Sequence, residues 1–483
     1  MRGQGCAGKD ARARVKGEMS DARTRERQGG DEVAERALAA AGCCGPGSEA
    51  GGPGMSAGRF WGWMAVALGA VAVGKGIRRP NAWAYTQAQL DYSFGFIRSG
   101  FFGATLGHAL GLNRYAHFAA FSTGLLLLLF AALALLARSS KLAELTPPGE
   151  LLAVYASSYS VTYLAHVNGY FDIPLALLCV GALFVRSTGR RLAAAAVATT
   201  VGILIHEQFL FAFVPVLAVS VAFGAATAKS AGERRVAWIG GALLVVLGLG
   251  LTVCVDRDGA VGAAQAEGLQ QTIEQRTDGP LKAEVWQVLP LTPGENLETM
   301  RSVWRRPTFV PAQVESLLLF APTAAVLSWA TLLLLRRWMP GRHRWLYAGA
   351  LLATLAPLSL NLLGWDKNRW NELLCLNAFL MLLAVARQMG GAGVQLPVRL
   401  RRACLIVMLL NMAAGGGMLD GRHIRPFPFM RSGDAAVVDA PAAGVAAQLR
   451  DAASRAGHDF VEASARRGGS EFPMGLCVVR RRL

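Results

Sequence analysis

Apolar residues in this chain come in long runs that are separated by short polar segments. A helix needs roughly 20 apolar residues to cross the hydrocarbon core of a bilayer, and eleven runs approach that length. They lie at residues 60–77, 115–137, 150–167, 171–185, 192–205, 208–226, 236–254, 314–335, 345–363, 371–387 and 403–419. The pattern predicts an all-α fold, a polytopic transmembrane helix bundle of about eleven spans within residues 55–419.

Basic residues concentrate in alternate gaps between these runs. If the N-terminus is cytoplasmic, the inner gaps contain Arg138, Lys141, Arg186, Arg190, Arg191, Lys229, Arg234, Arg235, Arg336, Arg337, Arg342, Arg344, Arg387, Arg399, Arg401 and Arg402. Cytoplasmic loops of membrane proteins are enriched in Lys and Arg. We therefore predict a cytoplasmic N-terminus and a C-terminal tail on the outer side.

Three segments depart from the simple alternation. Residues 78–114 and 256–312 are long, polar outer segments, each large enough to form a lid or a substrate groove. Within residues 192–226 only three polar residues separate two short runs. Two tilted helices and a broken, re-entrant pair both fit this region.

The two ends of the chain have a different composition from the apolar core. Residues 1–54 are rich in Gly, Ala, Arg and Glu and contain no apolar run. We interpret them as a disordered segment or an overextended start that precedes Met55. Residues 420–483 suggest a helix near 442–456 and strands near 459–463 and 475–480, which predicts a small extracytoplasmic α/β tail.

Composition narrows the functional classes. The chain is 53% hydrophobic and has a net charge of +17. Because its basic residues flank apolar runs, the charge favours membrane topology over nucleic-acid binding. The eight cysteines lack a metal-binding spacing, and no disulfide framework is predicted.

Charged residues in the first half of the chain fall at the outer ends of the runs. Asp91 and Arg98 are seven residues apart and would share one face of a helix; the alternative is an ion pair that anchors the loop. His166 and Asp172 flank a possible site, although an Asn-Gly turn and a helix cap would also explain that segment. His206 and Glu207 interrupt apolar sequence, where ionisable groups usually mark function; the alternative is a buried His–Glu hydrogen bond between two short helices.

The segment GWDKNRWNE, residues 364–372, contains the densest polar cluster. Asp366 and Arg369 are three residues apart, so they share one face of a helix, and Lys367 and Trp370 accompany them. A tight polar loop with interfacial tryptophans is the structural alternative. The acid and arginine at helical spacing favour a functional site.

Together these residues suit a reaction on a phosphate-bearing lipid. Arginine binds phosphate in bidentate geometry, and a carboxylate serves as the base for a sugar hydroxyl. The catalytic candidates are Asp91, His206, Glu207 and Asp366. The substrate-binding candidates are Arg98, His166, Asp172, Lys367, Arg369 and Trp370. We expect no cofactor; the use of a metal stays open, but we identify no Asp-x-Asp motif anywhere in the chain.

The layout resembles bacterial polytopic glycosyltransferases of the GT-C type and related surface-polysaccharide polymerases. Gly364, Asp366, Arg369 and Trp370 are similar to the Gly-x-Asp-x-x-Arg-Trp pattern of several such polymerases. The chain departs from the family in having one acidic residue in the first outer segment, where the family has an adjacent pair. The resemblance implies a membrane-embedded enzyme that uses lipid-linked sugars.

Our preferred hypothesis is a bacterial inner-membrane glycosyltransferase or polysaccharide polymerase that acts on polyprenyl-phosphate-linked sugars at the outer face. Its partners would be the lipid bilayer and that substrate, without nucleic acid, and the oligomeric state is open. The alternatives are a proton-coupled transporter or flippase of an envelope precursor and a noncatalytic envelope scaffold. The two halves of the chain show no clear duplication, which disfavours the transporter.

Overall fold

The computed structural model describes residues 57–414, except 141, 143–148, 308, 340–343, 365 and 390–395. The described residues form helices joined by turns and contain no strand. The prediction of an all-α helical bundle is therefore confirmed. The predictions for residues 1–54 and for the tail at 420–483 lie outside the described residues.

Helices account for every apolar run. In the first part of the chain they are α1 (Ala57–Gly76), α2 (Ala82–Gln89), α3 (Tyr115–Ser139), α4 (Glu150–Ala156), α5 (Tyr159–His166), α6 (Asp172–Leu183), α7 (Thr188–Ile205), α8 (Phe209–Ala212), α9 (Val214–Ala222), α10 (Gly224–Thr227) and α11 (Ala231–Asp258). The remaining ones are α12 (Ala263–Arg276), α13 (Ala283–Val288), α14 (Pro293–Trp304), α15 (Phe309–Trp338), α16 (Arg344–Leu355), α17 (Lys367–Met389) and α18 (Val398–Ala413).

Seven of the eleven runs form helical segments that are long and apolar enough to cross a membrane. They are Tyr115–Ser139, Thr188–Ile205, Phe209–Thr227, Ala231–Asp258, Phe309–Trp338, Arg344–Leu362 and Lys367–Gln388. Large apolar side chains such as Leu127, Val246, Leu318 and Leu409 remain more than half exposed on the bundle surface. Such a surface needs lipid to cover it, so the chain is a multi-pass membrane protein.

The region at residues 192–226 is an antiparallel helical hairpin. Its turn is at residues 206–208, where His206 leaves the helical conformation with φ −164°. The two helical segments of the hairpin, Thr188–Ile205 and Phe209–Thr227, pack closely at both ends. A Cβ built on Gly202 would meet the Phe209 ring near the turn. One built on Gly224 would meet Thr188 at the other end. Of the two alternatives from the sequence, the structure has two helices, and both segments are long enough to span a membrane.

Helix α17 is the centre of the bundle. The most apolar window of its span is completely buried, and it packs against α15, α16 and α5. A helix that neighbours cover on every side can carry polar residues only where partners satisfy them. Its N-terminal end, which follows Asp366, therefore lies inside the protein and not at a lipid-facing edge.

The two ends of the bundle differ in chemistry, as the charge pattern predicts. At one end, Arg191 donates hydrogen bonds to the carbonyls of Val185, Arg186 and Ser220, and Arg387 bonds the Ser139 hydroxyl. At the other end lie residues 206–208 and the start of α17. Basic residues thus tie the loops at one end together, whereas the candidate site residues collect at the opposite end.

The two polar segments between the spans fold over that second end, and we call residues 78–114 and 259–307 the cap. A small apolar cluster holds the two parts together: Leu90 and Ile97 from the first part meet Leu269, Ile273 and Trp286 from the second.

Residues 90–100 are turns and not a helix. The idea that Asp91 and Arg98 share a helical face is therefore wrong; Gly95 and Ser99 have positive φ angles, which interrupt a helix.

Helix α1 approaches α5 so closely that Gly76 has no room for a side chain. A Cβ built on Gly76 would lie 1.8 Å from the Thr162 carbonyl oxygen, whereas one on Gly74 meets nothing within 4 Å.

We predict that Gly76→Ala lowers the free energy of unfolding by about 1–3 kcal/mol through overpacking, and that the control Gly74→Ala does not. Thermal unfolding of both variants in detergent measures this, and equal melting temperatures would contradict the packing described here.

Candidate functional site

A cavity of about 540 Å³ lies between the cap and the end of the bundle, and we call it the cap cavity. Six of the predicted site residues line it: Arg98, His206, Glu207, Asp366, Arg369 and Trp370. They come from the cap, from the turn of the α7–α8 hairpin and from the start of α17. Apolar side chains, among them Trp83, Val288 and Met300, form much of the remaining wall. This combination of charged and apolar lining suits an amphiphilic ligand of small-molecule size.

Arg369 connects three parts of the bundle at the floor of the cavity. Its Nε forms an ion pair with Asp172 Oδ2, and its Nη2 donates to Gln208 Oε1 at 2.9 Å. Gln208 Nε2 donates in turn to Asp172 Oδ1 at 2.7 Å. The three side chains, all buried, form a closed polar triangle between α6, the hairpin turn and α17.

Aromatic rings hold the Arg369 guanidinium from two further directions. Its central carbon lies 4.9 Å from the ring centroid of Tyr170 and 4.9 Å from that of Trp370. Cation–π contacts of this kind strengthen when the cation is removed from water. The orientation of Arg369 is thus set by hydrogen bonds and by both rings.

Glu207 lines the cavity, and one of its carboxylate oxygens, Oε2, is buried without a hydrogen-bond partner among the described residues. The side chain as a whole is 35% exposed. His206 Nδ1 is 3.4 Å from Oε2, but it accepts a hydrogen bond from the Gln208 backbone N–H at 3.3 Å. Neutral His206 accepts that proton at Nδ1, whereas protonated His206 donates from Nδ1 to Glu207, so the structural alternative of a His–Glu hydrogen bond stays open.

The pKa values of the two carboxyls that line the cavity, Glu207 and Asp366, shift in opposite directions. Burial raises the pKa of Glu207. Protonated His206, Arg98 and Arg369 lower it by more, so the net pKa of Glu207 lies below its usual value. For Asp366 burial dominates and raises the pKa, although its Oδ1 accepts a hydrogen bond from the Tyr163 hydroxyl at 3.2 Å. Glu207 is therefore the more readily ionised carboxyl, which favours it as a base.

Arg98 fastens the cap while it faces the cavity. Its Nη2 donates to the carbonyls of Leu289 and Leu291, each at 2.7 Å, and its Nη1 contacts Asp256 at 3.2 Å. These bonds join the first part of the cap to the second part and to the end of α11. Arg98 therefore stabilises the folded cap and also places a positive charge on the cavity wall.

The structure places Asp91 away from the cap cavity. Its carboxylate contacts Arg276 at 2.5 Å, His108 at 3.0 Å and the backbone N–H of Ser93 at 3.0 Å. It thus makes an ion pair that fastens the cap, but with Arg276 and not with Arg98. Because these three partners occupy both oxygens, the geometry does not favour Asp91 as a base.

The remaining candidates lie around the cavity and not on its wall. Asp172 is buried behind Arg369 and does not act as the cap of α6 that the sequence suggested as an alternative; Gly169, with φ +95°, does form the expected turn. His166 stacks on Tyr163 with ring centroids 5.5 Å apart. Lys367 begins α17 and is not among the residues that line the cavity.

Sequence reasoning missed Gln208, Tyr170 and Lys282. Gln208 is the third polar residue of the same break as His206 and Glu207, so it could have been found there. Tyr170 belongs to the segment that was noted for His166 and Asp172. Lys282 lines the cavity from the long cap segment, where no local pattern distinguishes it from other polar residues.

One sequence expectation about metals needs a correction. The chain does contain an Asp-x-Asp motif, formed by Asp256, Arg257 and Asp258. Asp256 pairs with Arg98 and Asp258 lies 3.9 Å from Arg257, and neither acid lines the cap cavity. Within the described residues, no group of three or more His, Cys, Asp or Glu side chains is arranged to hold a metal ion.

We predict that Asp172→Asn lowers the free energy of unfolding by about 3–5 kcal/mol, because it leaves the buried Arg369 charge without its carboxylate. The matched control is Glu298→Gln, which removes an exposed ion pair with Arg301 and should cost less than about 1 kcal/mol. Reversible denaturation in detergent micelles measures both. Similar losses in the two variants would show that the triangle does not stabilise the bundle.

The Asp91 ion pair predicts a pH dependence of stability. Burial raises the pKa of Asp91, but hydrogen bonds from Ser93 and Arg276 outweigh it, so the net pKa lies below the usual value of an aspartate. A depressed pKa stabilises the fold above the unfolded-state pKa, and the stabilisation is lost as the pH falls through the folded-state pKa. Wild type should therefore unfold at a higher temperature than Asp91→Asn at pH 7, and the difference should shrink below about pH 4. A difference that does not depend on pH would contradict this.

No family model, curated protein or solved structure matches this chain. The resemblance to GT-C glycosyltransferases and surface-polysaccharide polymerases therefore stays a prediction that rests on the residues already named. The structure itself describes a multi-pass helical membrane protein with one charged, partly apolar cavity beneath a cap.

Proposed function

We propose that this chain is a membrane-embedded glycosyltransferase or polysaccharide polymerase of the bacterial inner membrane, and that it acts at the outer face on a sugar linked to a polyprenyl phosphate. The observation that carries the proposal is that the Glu207 carboxyl, Arg98 and Arg369 line the same cavity. A base and phosphate-binding cations are the two requirements of this transfer.

The shape and lining of the cap cavity support an amphiphilic substrate. Its volume of about 540 Å³ accommodates a sugar and a phosphate rather than a long lipid. Leu363 lines the cavity and is exposed, and the neighbouring Leu362 is exposed on the bundle surface. The polyprenyl tail would leave the cavity along this apolar edge and remain in the bilayer.

The proposed reaction balances within these groups. The hydroxyl oxygen of the acceptor attacks the anomeric carbon of the donor sugar, and Glu207 takes the hydroxyl proton. The bond between the anomeric carbon and the phosphate oxygen breaks, and its electron pair leaves with the polyprenyl phosphate. Arg369 and Arg98 stabilise the charge that develops on that phosphate. Asp366 orients the acceptor, and the triangle with Asp172 and Gln208 keeps Arg369 in place.

The direct test follows transfer of a labelled sugar from a polyprenyl-phosphate donor by membranes that contain the full chain. Because loss of a general base removes about 10²–10⁴-fold of rate, Glu207→Gln should abolish most product while the amount of membrane-inserted protein stays the same. The matched control is Glu298→Gln, which changes an exposed cap carboxylate that pairs with Arg301, and neither residue lines the cavity; it should keep wild-type activity.

Two outcomes would overturn the proposal. Wild-type rates in Glu207→Gln would remove the carboxylate from the mechanism. Movement of the labelled lipid across a bilayer without a new covalent product would instead identify a flippase, the alternative that also uses an amphiphilic cavity.

A further inference from the structure

A second ionisable site lies inside the bundle, one helical turn beyond Arg369. Glu372 is on the buried helix α17 and is completely inaccessible to solvent. Its Oε1 accepts a hydrogen bond from the Ser160 hydroxyl at 3.1 Å, and its Oε2 has no hydrogen-bond partner among the described residues. The reaction proposed for the cap cavity does not use this carboxyl.

The hydroxyl of Tyr155 is a second buried polar group; it has no partner at hydrogen-bond distance among the described residues, although it interacts more weakly with Ser160. The Tyr155 ring stacks on Phe379 with centroids 4.0 Å apart, which holds the hydroxyl in the core. It is close enough to Glu372 for the two groups to interact electrostatically. Unpartnered buried polar atoms are rare in folded proteins and call for an explanation.

Among the described residues, no cation forms an ion pair with Glu372. The ionisable groups that act on it are Asp172, Arg369, Tyr155 and Cys375. Of these, only Arg369 is positive, and its hydrogen bonds go to Asp172 and Gln208, so no ion pair with Glu372 forms among the described residues. An unpaired carboxylate in an apolar interior is so unfavourable that such groups normally take up a proton.

We propose that Glu372, together with Ser160 and Tyr155, forms an intramembrane proton-binding site in which the carboxyl is neutral at pH 7. A proton is the occupant that fits, because it removes the charge without needing the several oxygen ligands of a metal cation. It also gives the carboxyl a hydrogen-bond donor in a place where a hydroxyl lacks a partner. This inference does not depend on the glycosyltransferase proposal.

The site is coupled to the cap cavity through its position on α17. Residues three apart on a helix share a face, so Glu372 lies on the side of Arg369 and below the triangle with Asp172. If the proton left, a second carboxylate would compete with Asp172 for Arg369. The protonation of Glu372 therefore keeps Arg369 oriented towards the cavity.

Infrared spectroscopy of the purified full chain in lipid nanodiscs tests the site. A protonated carboxyl has a carbonyl stretch that is separate from the carboxylate bands and shifts in D₂O. Wild type at pH 7 should show this band, Glu372→Gln should lose intensity in it, and the control Glu207→Gln should retain that intensity. Absence of the band in wild type, or its full retention in Glu372→Gln, would overturn the proposal.

A second measurement keeps the proposal testable if Glu372→Gln does not fold. Dicyclohexylcarbodiimide is apolar and reacts with protonated carboxyls, so treatment of wild type followed by peptide mass mapping should place an adduct on Glu372 and none on Glu207. An adduct on Glu207 with none on Glu372 would show that the buried carboxyl is not the one that holds a proton.

Discussion

The ion pair between Arg369 and Asp172 is the interaction on which the arrangement of this end of the bundle depends. Both side chains are buried, so each charge is tolerated only because the other is beside it and because Gln208 satisfies further hydrogen-bonding groups. The contact joins α6, the α7–α8 hairpin and the central helix α17. Any rearrangement that separates these three elements would expose a charge to an apolar interior, and the floor of the cap cavity is therefore fixed.

The cap forms the roof of the cavity, and contacts of another kind hold it in place. The cap is held by a small apolar cluster, by the Arg98 bonds to the carbonyls of Leu289 and Leu291, and by the Asp91 pair with Arg276. Asn296 adds a hydrogen bond from the cap to the Leu363 carbonyl at 3.1 Å. These contacts are fewer and more exposed than those of the bundle. The cavity therefore has a tightly paired, charged floor beneath a roof that is held by more exposed contacts.

The sequence predicted the helical architecture well because apolar periodicity is a local property. The runs, the alternation of basic gaps and the break at residues 206–208 can all be read from neighbouring residues. Pairings between distant segments could not be read in this way: Asp172 and Arg369 are 197 positions apart, and Asp91 meets Arg276 across 185. The choice of partner for Arg98 depends on how the cap folds, which no single segment determines.

The sequence identified most of the residues of the candidate site, but it predicted their arrangement only in part. His206, Glu207, Asp366, Arg369 and Trp370 could be singled out because polar residues stand out in apolar sequence, and all five line the cap cavity. The distinction between a residue that lines the cavity and one that supports it from behind, such as Asp172, requires tertiary structure. The same holds for Glu372, whose lack of an ionic partner is visible only when every neighbour is known.

The central claim is that the cap cavity binds the phosphate and sugar of a lipid-linked donor. A cryo-EM reconstruction of the full chain in nanodiscs with a polyprenyl-phosphate sugar tests it most directly. The account predicts phosphate density against Arg369 and Arg98, with the sugar facing Glu207 and the polyprenyl chain leaving past Leu363. An empty cap cavity with the lipid bound elsewhere on the bundle would contradict it.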